Sequence, residues 1–297
     1  MRMKPTLNQL AKAEQEVFLY LNRKKDSPLL NRVKKFLAHP LRYLYHNLCK
    51  VGVLPWKNIH AKTFWGSDFL VPLKDVNAAT LYFTGTLSVP EISLSRFFIK
   101  NIQEGDEFYD VGANLGYYSA LASSLGARVH AFEPNPSVLA FVRHNAGGIV
   151  NEVALGDAPG KVTLYDTTGG NKSGMSTTLQ SVAEANKLKY KEVQVPMTTL
   201  DIYAKSNRTP TYIKIDVEGF EEYVLNGART LLTTTSPIIT MEIWDAPQAI
   251  EHSRKALQIL KELGYVSYRI EKDGEKIAEE IVLGKMGTPS NYCFLKQ

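Results

Sequence analysis

Cysteine is almost missing from this chain of 297 residues, which contains only Cys49 and Cys293. The two are far apart in the sequence, no Cys-x-x-Cys pair is present, and the histidines form no cluster at zinc-ligand spacing. The sequence therefore argues against a disulfide-stabilised secreted domain and against a structural zinc site. A reducing compartment is the simplest expectation.

Long hydrophobic runs are also lacking. No segment approaches the roughly 18–20 apolar residues that a membrane-spanning helix requires, and the basic N-terminus has no apolar core of the kind that a cleavable signal contains. No repeat of fixed period occurs. We therefore expect a cytoplasmic protein that is soluble or attached only to the inner face of a membrane.

Acidic residues are scarce in one part of the chain. Residues 1–62 contain 13 Lys and Arg against 3 Asp and Glu, a net charge of +10, whereas residues 63–297 contain 22 against 27, a net charge of −5. The length favours one α/β domain with an appendage over two equal domains. We predict a basic helical arm over residues 1–62 and a larger domain over residues 63–297.

The arm shows helical periodicity. Apolar residues recur at intervals of three and four from Leu7 to Leu21 and from Leu29 to Leu48, and Pro40 is expected to kink or split the second helix. Two interpretations stay open. The apolar faces dock on the larger domain as a helical cap, or residues 1–50 present a basic amphipathic surface to anionic lipid or a lipid-linked substrate. No nucleic-acid-binding motif accompanies the charge, so we expect no nucleic-acid partner.

In the larger domain, short apolar segments alternate with helical ones after a stretch at 63–83 that predicts only small strands or loops. The pattern predicts strands at 107–110, 128–132, 149–153, 192–195, 212–216, 237–243, 265–270 and 292–295, and helices at 91–100, 116–125, 136–145, 220–226 and 247–263. Gly227 and Gly264 are expected to cap helices in the left-handed conformation. Asp273-Gly274 is typical of a hairpin turn, and the last strand is expected to pair antiparallel.

Repeated strand–helix units predict an α/β, Rossmann-like fold. Such a fold has a mostly parallel sheet with helices on both faces, and it binds its ligand beyond the carboxyl ends of the strands.

A glycine-containing turn follows the strand at 107–110. It reads Asp110-Val-Gly112-Ala-Asn-Leu-Gly116, and Glu133 ends the next strand. The dinucleotide pattern Gly-x-Gly-x-x-Gly is not present, which disfavours a pyrophosphate, because that group requires bare backbone N–H groups at a helix start. S-adenosylmethionine has no phosphate. Asp110 is placed to attract its cationic end, and Glu133 to accept hydrogen bonds from both ribose hydroxyls.

A second group of charged residues marks further strand ends. Lys214, Asp216 and Glu218 alternate from a buried strand into the turn that follows it, and Glu242 lies in the next strand. Because the strand order of such a sheet reverses beside its first strand, we expect Asp216 to border the same crevice as Asp110. Glu218 is expected in the first turn of a helix, where the helix dipole would favour it. The alternative for Lys214 is a structural role, in which it forms an ion pair with a nearby carboxylate.

Over about residues 80–245 the chain resembles the FkbM-type S-adenosylmethionine-dependent methyltransferases. The motifs stand in that family's order: Asp-Val-Gly-Ala-Asn-Leu-Gly at 110–116, Phe-Glu-Pro-Asn-Pro at 132–136, Ala-Leu-Gly-Asp at 154–157, Thr-Leu-Asp at 199–201, Ile-Lys-Ile-Asp-Val-Glu-Gly-Phe-Glu at 213–221 and Pro-Ile-Ile-Thr-Met-Glu at 237–242. The resemblance implies the class I methyltransferase fold with a seven-stranded sheet, and an acceptor hydroxyl on a sugar, a glycan or a related natural product. It does not cover the arm.

The motifs and the resemblance together assign the site residues. Cofactor binding falls to Asp110, Gly112, Ala113, Asn114, Gly116, Glu133, Ala154 and Asp216. A sulfonium is an activated electrophile, so the remaining tasks are alignment of the acceptor and removal of its proton. Asp216 and Glu218 are the preferred candidates for the general base, and Glu242 ranks below them. These carboxylates would also suit Mg²⁺, but no spacing supports it and we predict no metal.

Other interpretations stay open. Segment 166–178, rich in Gly, Ser and Thr, is either a mobile lid or acceptor loop, or an idle surface excursion. A second interpretation is that the core binds its cofactor without catalysis, as a membrane-docked partner in a glycan-assembly complex. A nicotinamide dehydrogenase is disfavoured by the glycine spacing.

Overall fold

The structure is a computed structural model. It describes residues 4–21, 28–170, 173–185, 187, 189–243, 245, 250–284 and 290–296. Within these ranges no helix has both the length and the apolar character needed to cross a bilayer.

The arm is helical, as its periodicity predicts. Its helices are α1 (Leu7–Leu21), α2 (Pro28–Ala38) and α3 (Pro40–Lys50). Pro40 begins α3, so the predicted break at this proline is confirmed.

Helix α1 docks on the larger domain through one apolar face. Leu10 and Val17 are fully buried and pack with Ile92. An ion pair of 2.6 Å between Arg96 and Glu14 fixes the same contact. The interpretation of the arm as a docked cap therefore holds for α1.

A hairpin and two helices connect the arm to the core. They are β1 (Asn58–Lys62), β2 (Asp68–Pro72), α4 (Val76–Thr84) and α5 (Val89–Asn101). Because β1 pairs with β2 across residue 62, the hairpin straddles the predicted domain boundary, and the division at that residue stays a prediction.

Helix α4 occupies a segment for which the sequence predicts only small strands or loops, so that prediction is wrong there. Asp75 begins the helix, because its Oδ1 atom accepts a hydrogen bond of 3.1 Å from the backbone N–H of Ala78. Leu81 and Phe83 anchor it in the interior. The acidic cap before an apolar run was the available signal.

The α/β core follows. Its first half contains β3 (Glu107–Val111), α6 (Tyr117–Leu125), β4 (Arg128–Phe132), α7 (Leu139–Asn145), β5 (Ile149–Asn151), β6 (Ala154–Leu155), β7 (Gly160–Asp166), α8 (Gln180–Ala185) and β8 (Lys191–Thr198). Its second half contains α9 (Leu200–Ala204), β9 (Tyr212–Ile215), α10 (Glu221–Asn226), α11 (Arg229–Thr235), β10 (Ile238–Ile243), α12 (Ile250–Glu262), β11 (Tyr265–Ile270), β12 (Lys276–Ala278) and β13 (Ser290–Lys296).

The central sheet has the order β12-β11-β13-β10-β9-β3-β4-β5. Strands β10, β9, β3, β4 and β5 are parallel, and β13, β11 and β12 add antiparallel pairs at one edge. The mostly parallel architecture is confirmed. Among the described residues the sheet has eight strands rather than seven, because β12 extends the edge after the predicted Asp273-Gly274 hairpin. Strands β6, β8 and β7 form a separate small sheet.

Helices cover both faces of the central sheet because successive residues of a strand point to opposite sides. Phe108 of β3 packs in one hydrophobic cluster with Phe98 of α5. Its neighbour Tyr109 packs in the other cluster with Leu231 of α11 and Leu260 of α12.

The strand order reverses at β3. The next strand in the chain, β4, pairs on one side of β3, and β9 pairs on its other side. The carboxyl ends of these three strands therefore meet, which confirms the expected crevice.

Gly264 and Gly227, the two glycines predicted to cap helices in the left-handed conformation, differ in backbone conformation. Gly264 has φ +81 and caps α12 in the left-handed conformation, as predicted. Gly227 ends α10 with φ −77, so its predicted left-handed cap is wrong. A Cβ atom at Gly227 would lie 1.9 Å from the carbonyl oxygen of Gly156, so close backbone approach requires glycine there.

Candidate cofactor and active site

A pocket lies at the carboxyl ends of β3, β4 and β9. Its lining includes six residues that the sequence assigned to the site: Gly112, Asn114, Glu133, Ala154, Asp216 and Glu218. Apolar side chains, among them Val111, Phe132 and Leu155, form other parts of the wall. Mixed walls of this kind suit a ligand with a flat apolar part and several polar groups.

The backbone of the glycine turn bonds within the protein. The N–H groups of Gly112 and Ala113 both donate to the carbonyl oxygen of Phe132, at 3.0 and 3.1 Å, and that of Gly116 donates to Ala113 at 2.7 Å. The N–H of Asn114 donates to Glu133 at 2.7 Å. Because these four donors are already engaged, the turn does not form the phosphate cradle of a dinucleotide site.

The glycines of this turn serve packing. Gly112 has φ +79, and a Cβ atom there would lie 1.9 Å from the carbonyl oxygen of Asp216 on the neighbouring strand end. A Cβ atom at Gly116 would meet Val142 and Asn145 of α7 at 3.3 Å. Ala113 is buried, and neither it nor Gly116 lines the pocket in the described part of the chain. Their contact with a cofactor stays a prediction.

Glu133 directly follows β4 and lines the pocket, and both of its carboxylate oxygens accept hydrogen bonds. They accept backbone hydrogen bonds from Asn114 at 2.7 Å and from Asn135 at 2.8 Å. Burial raises the pKa of Glu133 to about 7, although these two hydrogen bonds act in the opposite direction. Each oxygen retains a second lone pair, so the carboxylate can still accept two hydroxyl donors.

Two buried polar atoms of the pocket lining have no hydrogen-bond partner among the described residues. They are Oδ1 of Asn114 and Oγ1 of Thr178. Asn114 also has φ +50, an unfavourable backbone conformation for a residue with a side chain. Two unpartnered oxygens in the pocket wall fit a ligand that brings hydroxyl and ammonium donors, such as the ribose and amino-acid parts of S-adenosylmethionine.

Asp110 and Asp216 flank one buried lysine. Nζ of Lys214 lies 3.2 Å from Oδ2 of Asp216 and 3.6 Å from Oδ1 of Asp110, and Ser119 donates to the other oxygen of Asp110 at 2.6 Å. Burial alone would lower the pKa of Lys214, but Asp216, Asp110 and Glu91 raise it above its ordinary value. The expected carboxylate partner of Lys214 is confirmed. Asp110 is buried and is not among the residues that line the pocket in the described part of the chain. Its attraction of the cofactor stays a prediction.

Glu218 lies in the turn before α10. The expectation that it occupies the first helical turn is wrong, because α10 begins at Glu221 and Glu218 has φ +53. Burial, with the nearby charges of Asp216 and Glu242, raises the pKa of Glu218 well above its ordinary value. Glu242 itself lies on β10 outside the pocket lining. A carboxylate of raised pKa is a stronger proton acceptor, which suits a general base.

Two further acids have raised pKa values that the sequence did not indicate, Glu221 beside Glu218 and Glu91 in the surroundings of Asp216. Glu221, in the first turn of α10, accepts backbone hydrogen bonds of 3.2 Å from Val217 and from Gly219, and burial raises its pKa to about 7. Glu91 of α5 accepts a hydrogen bond from the hydroxyl of Tyr118, and burial, followed by the charge of Asp216, raises its pKa. Glu221 belongs to the motif at 213–221, but no motif marks Glu91.

The loop at 166–178 covers one side of the pocket, although residues 171 and 172 lie outside the described part. Ser176, Thr177 and Thr178 line the pocket, which supports a cofactor-side position for this loop. The hydroxyl of Thr177 donates to the carbonyl oxygen of Glu218 at 2.8 Å. The loop therefore contacts the turn that contains the candidate base.

Asp166 anchors the start of this loop. Nδ2 of Asn135 donates to its Oδ1 atom at 3.0 Å. Burial alone would raise the pKa of Asp166, but hydrogen bonds from Thr168, Asn135 and Ser137 lower it to about 2. Asn135 also donates its backbone N–H to Glu133. One residue is therefore hydrogen-bonded both to the start of the loop and to Glu133.

A further cluster lies away from the pocket. His60 of β1 and His144 of α7 both contact Oδ2 of Asp68, at 2.5 and 3.3 Å. No sequence pattern predicts this grouping, because the three residues come from separate segments. The Lys62 ammonium already lies 3.6 Å from the other oxygen of Asp68, so we assign no metal to the cluster.

A parallel sheet whose strand order reverses beside its first strand, with an acid directly after the second strand, is the arrangement of a Rossmann-like nucleotide-binding site. The family model of the methyltransferase FkbM domain matches residues 110–267, more than half of the chain. The chain therefore belongs to the FkbM methyltransferase family, and its cofactor is S-adenosylmethionine.

Two curated proteins are similar to the chain. Hexuronic acid methyltransferase AglP of Haloferax volcanii is 28% identical over 155 residues, covering 50% of this chain and 61% of that protein. The 31-O-demethyl-FK506 methyltransferase FkbM of Streptomyces tacrolimicus is 36% identical over 115 residues, covering 33% of this chain and 44% of that protein. The matched part thus spans less than two thirds of either relative.

Solved structures align at low scores. Methyltransferase FkbM from Methylobacillus flagellatus gives a TM-score of 0.42 at 15% identity, covering 72% of this chain and 52% of that chain. A TehB-like S-adenosylmethionine-dependent methyltransferase from Corynebacterium glutamicum gives 0.39 at 9% identity, covering 88% and 98%. The fold assignment therefore depends on the sheet order and the family match.

Proposed function

We propose that this protein transfers a methyl group from S-adenosylmethionine to a hydroxyl oxygen of a sugar, a glycan or a related small molecule. The observation that carries the proposal is one pocket in which Glu133 faces the same space as Asp216 and Glu218. The similarity to a hexuronic acid methyltransferase and to a 31-O-demethyl-FK506 methyltransferase supports an oxygen acceptor.

The cofactor end of the pocket would be formed by Glu133, Asn114 and Ala154. Glu133 would accept hydrogen bonds from the ribose hydroxyls, and the unpartnered Oδ1 of Asn114 would accept a further donor. When bound, S-adenosylmethionine supplies a methyl group on a sulfonium centre, which needs no further activation by the protein.

Glu218 is our candidate for the general base. In the proposed reaction it removes the proton of the acceptor hydroxyl as the oxygen attacks, and its raised pKa makes it a better proton acceptor than an exposed glutamate. Asp216 lines the same pocket, but its carboxylate is already engaged by the Lys214 ammonium at 3.2 Å. We therefore assign Asp216 to orientation and rank Glu218 first.

We further propose that the enzyme works in the cytoplasm, at the inner face of a membrane that carries its acceptor. The charge of the arm supports this location, since 13 of its residues are basic and only 3 are acidic.

The test is methyl transfer from S-adenosylmethionine with a labelled methyl group to extracts of cell-envelope glycans and lipids. We expect label in a product whose mass exceeds that of its precursor by one methylene, and loss of label with Glu218→Gln. Calorimetry with S-adenosylmethionine serves as the binding control. Binding without transfer to any extract would favour the non-catalytic partner in a glycan-assembly complex, and an absence of binding would refute both.

A further inference from the structure

Exposed apolar side chains concentrate on one part of the arm. Of the twelve large apolar side chains that are exposed in the described residues, seven lie between Val33 and Val53. Leu37 is 71% exposed and Leu41 is 81% exposed. Soluble monomers rarely expose so many large apolar side chains in one place unless the place is an interaction site.

The same segment is basic throughout. Residues 28–57 contain six Lys and Arg and no Asp or Glu, namely Arg32, Lys34, Lys35, Arg42, Lys50 and Lys57. Arg32, Lys34 and Lys50 are exposed beside the apolar side chains. Apolar groups surrounded by positive charge match the boundary of an anionic lipid bilayer, which offers hydrocarbon and negative headgroups together.

Docking to the larger domain does not use these apolar side chains. Helix α3 is held by its opposite face, where Arg42 donates to the carbonyl oxygen of Tyr82 at 2.7 Å. His46 of the same face packs against Trp56 and Phe83, with ring centroids 5.5 and 5.4 Å apart. The exposed face with Leu41 and Leu44 is therefore available to a partner.

We propose that α2, α3 and the turn through Val53 form an interfacial surface that binds anionic phospholipid. Leu37 and Leu41 enter the acyl boundary, and the surrounding Lys and Arg contact the headgroups. The surface would add to the proposed function, because binding to a membrane would bring the pocket close to an acceptor carried by lipid. It does not depend on that function, because none of its residues lines the pocket.

A second copy of the chain is a poorer occupant. Two-fold pairing of this face would bring the six basic residues of one copy against those of the other, with no acidic residue in the segment to compensate. A bilayer supplies the opposite charge, so the charge pattern favours lipid.

The test is sedimentation of the full chain with vesicles of phosphatidylcholine alone and with vesicles that also contain phosphatidylglycerol. We expect binding to the anionic vesicles only, weakened by salt. Joint Leu37→Gln and Leu41→Gln substitution should weaken it at least about tenfold. Joint Ile277→Gln and Val282→Gln substitution is the matched control, because those two apolar side chains are also exposed but lie outside the arm; it should leave binding unchanged.

The proposal is overturned if the wild type binds neither kind of vesicle, or if the Leu37→Gln, Leu41→Gln variant binds the anionic vesicles as well as the wild type does. Light scattering on the same samples identifies the competing result, a wild-type dimer that the arm variant dissociates. Calorimetry with S-adenosylmethionine separates the two proposals. If the wild type binds the cofactor but no vesicles, the surface alone is refuted; if it binds anionic vesicles but not the cofactor, the proposed function alone is refuted.

Discussion

The Nζ atom of Lys214 lies 3.2 Å from Oδ2 of Asp216, and both residues lie at the end of β9. The same ammonium is 3.6 Å from Asp110 at the end of β3, and 5.2 Å from the centre of the Tyr118 ring. One lysine thus neutralises the two strand ends that meet at the switch in strand order. Without it, the buried carboxylate of Asp110 would lose the cation beside it.

Lys214→Met should therefore destabilise the protein strongly. The substitution leaves the buried carboxylate of Asp110 without its cationic partner, which costs about 3–5 kcal/mol in comparable cases. Urea unfolding followed by circular dichroism measures the loss. Lys62→Met is a suitable control, because the Lys62 ammonium pairs with Asp68 at 3.6 Å where both side chains are exposed, and it should change stability by less than about 1 kcal/mol. Equal effects of the two substitutions would contradict this account.

Glu133→Ala should weaken binding of S-adenosylmethionine. Loss of two hydrogen bonds to a charged acceptor is worth about 1.5–3 kcal/mol for each bond, or at least tenfold in the dissociation constant. Titration calorimetry gives the value. Glu152→Ala, at an exposed carboxylate paired with Arg143, is the control and should bind like the wild type. An unchanged affinity in Glu133→Ala would remove Glu133 from the cofactor site.

Cofactor affinity should also depend on pH through Glu133. Its folded-state pKa is about 7, above the ordinary value of 4.5, so the protonated carboxyl persists to near neutrality. Only the ionised form accepts two hydroxyl donors, and affinity should therefore rise as the pH increases from about 6 to about 8. Glu133→Gln should flatten this dependence.

Ionisation of Glu133 should also lower the stability of the folded protein as the pH rises, whereas it raises the affinity for the cofactor. Because the folded state binds the Glu133 proton more tightly than the unfolded state, this group's contribution to the free energy of unfolding falls as the pH rises from the unfolded pKa to about 7. Above that range its contribution is constant. Urea unfolding of the wild type and Glu133→Gln over this range should show a larger decrease in the wild type.

Glu218→Gln should leave cofactor affinity within about twofold and lower turnover by roughly 10²–10⁴, the usual contribution of a general base. Glu242→Gln should have a smaller effect, because Glu242 lies outside the pocket lining. Steady-state kinetics with a transferable acceptor would measure both. If Glu242→Gln were the more damaging substitution, the base would have to be reassigned.

Gly112→Ala should destabilise the turn by more than about 1 kcal/mol. The new methyl group would lie 1.9 Å from the carbonyl oxygen of Asp216, and the backbone has φ +79. Gly169→Ala is the matched control, since nothing lies within 4 Å of a Cβ atom there. A melting temperature of Gly112→Ala equal to that of the control would show that the turn relaxes without cost.

Much of the core could be predicted from sequence because its signals are local. The apolar run of β3 and the hairpin glycine at 274 depend on a few adjacent residues, and both predictions are confirmed. Helix α4 was missed because its short apolar pieces resemble strands, and only the cap at Asp75 distinguishes them. The geometry of Gly227 was missed because it is set by Gly156, which is distant in the sequence.

The candidate site shows the same division. Glu133 and Asp216 follow strands, so the sheet topology alone brings them to one pocket. The contacts of Glu91 with Tyr118 depend on how α5 packs against α6, and no sequence pattern reports that packing. The left-handed backbone of Glu218 was also unpredictable, since few residues other than glycine adopt it.

The hydroxyl of Thr177 donates to the carbonyl oxygen of Glu218, and both residues line the pocket. A shift of Thr177 would therefore change the pocket wall and the peptide of the candidate base together.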